Sequence, residues 1–151
     1  MAKFFLQRTL TGWIAADSDA EAAQRKFKAG EVYRAEMRRA RDYRNHCRFM
    51  CLLEKTYENL PEKLAAAWPT PKIFRRVVAY KAGHCDIFYT EDGEEIRSPR
   101  SYSYDELPDE DDFVVEFGAA MAVCAQMIGM SNDDLAAQIS RYAFERYGIA
   151  A

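Results

Sequence analysis

The stretch from Asp42 to Leu60, "DYRNHCRFMCLLEKTYENL", constrains the fold more than any other part of the chain. At about 100° per residue, His46, Phe49, Met50, Leu53, Tyr57 and Leu60 fall on one side of a helix. Arg44, Arg48 and Lys55 share the opposite side, with Cys51 among them and Cys47 at their edge. A helix divided this way has to pack its apolar side on other elements, so a core must assemble around it. The chain has 151 residues, the size of one ordinary domain, and is read as a single domain over 1–151.

The flanking segments supply the other elements. "KFFLQR" and "GWIAA" around "TLTG" predict a short hairpin. "DSDAEAAQRKFKAG" carries helix punctuation, with Asp17 or Ser18 as N-cap, Lys26 and Lys28 in the last turn and Gly30 as the stop. "EVYRAEMRRA" alternates, placing Tyr33, Ala35 and Met37 on one face and Arg34, Glu36 and Arg38 on the other, which predicts a half-buried strand. "PEKLAAAW" reads as a short helical piece. Thr70 and Pro71 open the helix "KIFRRVVAYKAG", which stops at Gly83. "HCDIFYT" and "EIRSP" flank "EDGE", where Asp-Gly predicts a tight two-residue hairpin turn. "FVVEFGAAMAVCAQMIG" repeats apolar residues at helical spacing, and Ser131 with Asp134 forms a capping box for the last helix. The sum is an α+β fold: short antiparallel hairpins and a strand packed against four or five helices.

Charge is distributed unevenly. Met1 to Tyr80 holds 16 Lys and Arg against 9 Asp and Glu, while Lys81 to Ala151 holds 5 against 15. Opposite signs in the two halves point to a polyanion partner for one part, or to mutual neutralisation. Arg34, Arg38 and Arg39 on the strand, Arg41 at the junction, and Arg44, Arg48 and Lys55 down the helix form a candidate phosphate-binding surface. The acids Asp92, Glu94, Glu95, Asp105, Glu106, Asp109, Glu110, Asp111 and Asp112 form a candidate docking surface for a basic protein. Opposite-sign surfaces also allow a homodimer.

Catalytic chemistry has little to stand on. Cys47 with Cys51 and His84 with Cys85 lack the Cys-x-x-Cys knuckle of structural zinc, so no metal or cofactor is expected. Cys47 lacks a partnered base, because His46 points to another face of its helix. No Gly-rich phosphate loop, Ser-His-Asp set or nucleotide fingerprint is present, and no enzyme activity is expected. No apolar run approaches the roughly 20 residues of a membrane span, and the start carries no secretion signal, so a cytoplasmic protein with reduced thiols is expected.

Two segments resemble a known family. "KFKAGEVYRAEMRRARDYRNHCRFMCLLEKTYENLPE" and "FRRVVAYKAGHCDIFYTEDGEEIRSPRSYSYDEL" are similar to stretches of the phage and prophage proteins grouped as domain of unknown function 1367. Gly30, Glu31, His46, Phe49, Leu52, Leu53, Ala82, Gly83, His84, Asp86, Gly93, Pro99 and Ser101 carry the likeness. Cys85, Met50 and Cys51 depart from it. The strand-helix element is more loosely similar to the lambda Orf recombination proteins, which bind single-stranded DNA. The resemblance implies a phage accessory protein of recombination or replication in the host cytoplasm, binding nucleic acid non-specifically. The alternative is a phage anti-defence inhibitor of the anti-CRISPR kind, docking its acidic segment on a host DNA-processing or defence complex.

Overall fold

Side-chain caps start five helices in the computed structural model, which describes residues 4–37 and 39–150. Asp17, Asp42, Thr70, Asp109 and Ser131 each accept a main-chain N–H of the following turn, removing an otherwise orphaned donor. They open α1 (Ser18–Gln24), α2 (Tyr43–Glu58), α4 (Pro71–Lys81), α5 (Glu110–Ile128) and α6 (Asn132–Tyr147). The short α3 (Glu62–Ala67) follows Pro61 without a side-chain cap. Four strands complete the α+β fold as two antiparallel pairs: β1 (Leu6–Arg8) with β2 (Trp13–Ala15), and β3 (Cys85–Tyr89) with β4 (Glu95–Pro99).

The chain forms two compact units, Met1–Met37 and Arg38–Ala151. In the first, β1 and β2 pair in the register Leu6↔Ala15, and α1 buries Ala20. Lys26 and Lys28 lie beyond α1, which ends before them. Phe27 packs its ring on Tyr33 at 4.8 Å, and the Tyr33 hydroxyl donates to Glu31 at 2.6 Å.

The strand expected over 31–40 does not form. Residues 31–37 have no regular structure, Arg38 lies outside the described residues, and only Ala40 makes an isolated bridge, to Asp109. Alternation prepares a face, but a strand also needs a neighbour for its N–H and C=O groups. Val32, Tyr33 and Met37 are instead exposed.

In the second unit α2 is the central element, packed by α4, α5 and α6. Phe49 sits at its middle, with the rings of Tyr102, Phe113 and Phe117 at 4.6, 5.4 and 5.4 Å. Leu52, Phe74, Val78, Ala120, Cys124, Leu135 and Ile139 extend this core. Because neighbours cover α2 on more than one side, Cys51 and Cys47 are buried, not at a solvent face as their helical angle suggested. Tyr43, Arg44 and Glu58 are the exposed positions of α2.

The β3–β4 turn also differs from expectation. Thr90 and Glu94 are bonded across it, leaving Glu91, Asp92 and Gly93 as a three-residue loop in which Gly93 alone has positive φ, +81°. The chain thus uses the glycine but not a left-handed aspartate.

Candidate nucleic-acid interface

Within the second unit, the described cations singled out in the sequence do not form one free surface. Arg34 belongs to the first unit, where it is exposed. Arg39 is exposed and lies 3.8 Å from Asp111. Arg44 bonds the Asp42 carboxylate at 3.0 Å, a contact that pulls the Asp42 carboxyl below the usual carboxylate range. Arg48 donates to Asn45 at 3.1 Å and to the Ala150 carbonyl. Lys55 is paired with Glu58 at 2.9 Å and lies over the Tyr142 ring.

Arg41 is a correction. Only 6% exposed, it cannot meet a polyanion. Its guanidinium lies 3.5 Å from the centre of the Phe113 ring and 4.7 Å from that of Tyr104. It donates to the Tyr102 carbonyl and, at 3.0 Å, to His46 Nδ1. Burial lowers the pKa of this guanidinium, while Tyr104 and Glu110 oppose the shift. His46 is held below its ordinary value by its own burial and by Arg41.

The acidic surface is thinned in the same way. Glu110 is 2% exposed and accepts the Asp42 N–H at 2.6 Å and the Asn45 amide, so it is not available for docking. Asp109 caps α5, Glu95 pairs with Arg97, and Glu106 accepts the Ser101 N–H at 3.2 Å. Asp111 and Asp112 are exposed in the first turn of α5. Asp92, Glu94 and Asp105 are exposed and without an ion pair among the described residues.

No three metal-binding side chains converge among the described residues. His84 is buried, stacked on Tyr102 at 4.6 Å, with Nε2 at 3.0 Å from the Ser101 carbonyl and Nδ1 at 3.5 Å from Glu116. Both ring nitrogens are thus occupied by structural contacts. Burial pushes the Tyr102 phenol well up, and Tyr102 Oη, Thr56 Oγ1 and Arg41 Nε are buried with no hydrogen-bond partner among the described residues. A groove of about 410 Å³ lies between α2, α4 and α6, floored by Leu53, Tyr57 and Phe74 and edged by Arg75 and Arg146.

The organised cationic feature is α4, which the sequence reading passed over as a helix alone. Its eleven residues "PKIFRRVVAYK" carry Lys72, Arg75, Arg76 and Lys81 and no carboxylate. Phe74, Val78 and Ala79 face the core, and all four cations are exposed. None of the four makes an ion pair among the described residues. Lys72, Arg76 and Tyr80 recur every fourth residue and so share one face. The signal in the sequence is four cations unopposed on one helix, less dense than the Arg38–Lys55 stretch but free of interleaved acids.

No family model, curated protein or solved structure matches this chain. No single described helix is long and apolar enough to cross a membrane.

Proposed function

We propose that this chain binds nucleic acid without reading sequence, by phosphate contacts from the exposed face of α4, as an accessory protein of DNA recombination or replication. The observation that carries the reading is the set Lys72, Arg75, Arg76 and Lys81, exposed on one helix with no carboxylate among them and no ion-pair partner among the described residues. Cations already bonded within the fold must give up those bonds to hold a phosphate. Unpartnered ones lose only their hydration and counterions, and release of counterions from the polyanion favours the complex. Arg44, Arg48 and Lys55 are of the first kind. Exposed Tyr80, on the same face as Lys72 and Arg76, adds a ring that a base or sugar can contact.

Fluorescence anisotropy on a mixed-sequence oligonucleotide tests this. With three or four phosphates neutralised, affinity should fall roughly 50-fold between about 50 and about 200 mM salt. Weak dependence on sequence accompanies that slope, because phosphate contacts carry no base information. Salt-independent binding, or none, removes the reading. Recovery of a host defence protein in place of nucleic acid favours the alternative of an inhibitor acting through its free acids Asp92, Glu94 and Asp105.

A further inference from the structure

One edge of β3 is open. Thr90 donates to the Glu94 carbonyl and Arg100 to the His84 carbonyl, and the register between them is Asp86↔Ser98 and Phe88↔Ile96. Residues 84, 86, 88 and 90 therefore turn their main-chain groups toward β4, while Ile87 and Tyr89 turn theirs the other way. No strand pairs with β3 on that side among the described residues. Ile87, Phe88 and Tyr89 are all at least half exposed, and "CDIFY" holds no proline or lysine of the kind that blunts a free edge. The hairpin packs on α4 through β4, so it is the main-chain groups of the outer β3 edge, not the hairpin as a whole, that gain from a third neighbour.

The hairpin is also polar end to end. Its tip carries Glu91, Asp92 and Glu94, exposed and without ion pairs among the described residues. At its base stands Lys81, the exposed last residue of α4, equally without a partner.

We propose that a second copy of this chain covers the edge, β3 pairing antiparallel with β3 about a two-fold axis at Ile87, to give a four-stranded sheet. Ile87 exchanges N–H···O=C bonds with its counterpart, and Tyr89 stands opposite Cys85. The same register sets Glu91 and Asp92 opposite Gly83 and Ala82, beside Lys81 of the second copy. Charge fixes this centre: shifting the axis toward Tyr89 brings two acidic tips together, whereas Ile87 keeps each tip on the other copy's lysine. The contact is isologous and closes, so it ends at a dimer. It does not depend on the nucleic-acid reading: Lys81 is engaged by the second copy, while Lys72, Arg75 and Arg76 stay exposed for phosphate.

Sedimentation velocity of the full chain over a wide concentration range tests it. The expected result is a reversible monomer–dimer equilibrium. Ile87→Pro removes only the outward N–H and spares every β3–β4 bond, so it should keep the circular dichroism spectrum and weaken the dimer at least roughly tenfold. Lys81→Glu should weaken it too, and adding Asp92→Lys to Lys81→Glu should restore it, because each exchanged tip meets an exchanged base. A monomer at all concentrations overturns the proposal. So does a dimer that tolerates Ile87→Pro, or one that the paired exchange does not rescue.

Discussion

Glu110, at the first turn of α5, accepts the main-chain N–H of Asp42, the N-cap of α2, at 2.6 Å. One buried carboxylate thereby joins the starts of α2 and α5. The same join includes Arg41 N–H to the Pro108 carbonyl at 3.2 Å and Glu110 N–H to the Arg39 carbonyl at 3.1 Å. With the Arg41 side chain on Phe113, Tyr102 and His46, these contacts turn the 39–42 segment inward.

Removing the carboxylate should therefore be costly. Glu110→Ala leaves the Asp42 N–H and the Asn45 amide without acceptors and Arg41 without a nearby counter-charge. Loss of one partner from a buried charged network costs about 3 to 5 kcal/mol. Urea denaturation should show that loss, with Glu110→Gln intermediate because it keeps the shape and one acceptor. A Glu110→Ala variant within about 0.5 kcal/mol of the parent, the range of neutral surface changes, contradicts the role.

His46 sets a pH dependence. Its burial and Arg41 hold its pKa below the ordinary 6.5, so the unfolded chain takes up this proton first. Nothing is lost well above 6.5. As pH falls through 6.5 toward the lower folded value, stability declines. The urea midpoint should fall across that window, and His46→Gln, which cannot titrate, should flatten the slope. An unchanged slope in His46→Gln assigns the dependence to other groups.

Thiol chemistry should distinguish one cysteine. Cys47, Cys51 and Cys124 are buried and Cys85 is half-buried. Burial pushes the Cys124 thiol up to about 11 and raises Cys51 and Cys85 as well. A disulfide reagent on the native protein should show one faster thiol, accelerating as pH rises, and Cys85→Ser should abolish that phase. A fast phase that survives Cys85→Ser means that α2 or α5 opens more readily than its packing implies.

The parts of the fold legible in the sequence are those fixed by neighbouring residues. The Ser131 cap, the Thr70-Pro71 start and the strand pairing of both hairpins depend on spacings of a few residues and stand as read, whereas the second hairpin's turn is one residue longer than its Asp-Gly predicted. The expected strand over 31–40 failed because its alternation says nothing about whether another strand lies alongside. The inward turn of Arg41 is hidden for a related reason: Tyr102, Glu110 and Phe113 come 61 to 72 residues later, and an arginine before a helix looks alike whether it turns out or in. In "PDEDD" no local pattern separates buried Glu110 from exposed Asp111 and Asp112. Cationic α4 was legible as composition, since unopposed charge needs no tertiary information, but its freedom from ion pairs needed the fold.

The most direct measurement compares two double charge reversals for binding to the same oligonucleotide at low salt. Arg75→Glu with Arg76→Glu alters unpartnered cations on α4, whereas Arg44→Glu with Arg48→Glu alters cations already bonded within the fold. The account predicts that the α4 pair loses at least roughly tenfold in affinity and lowers the salt slope by about 2, with the α2 pair clearly less affected. Equal losses in the two variants, or a greater loss from the α2 pair, would contradict the assignment of the interface to α4.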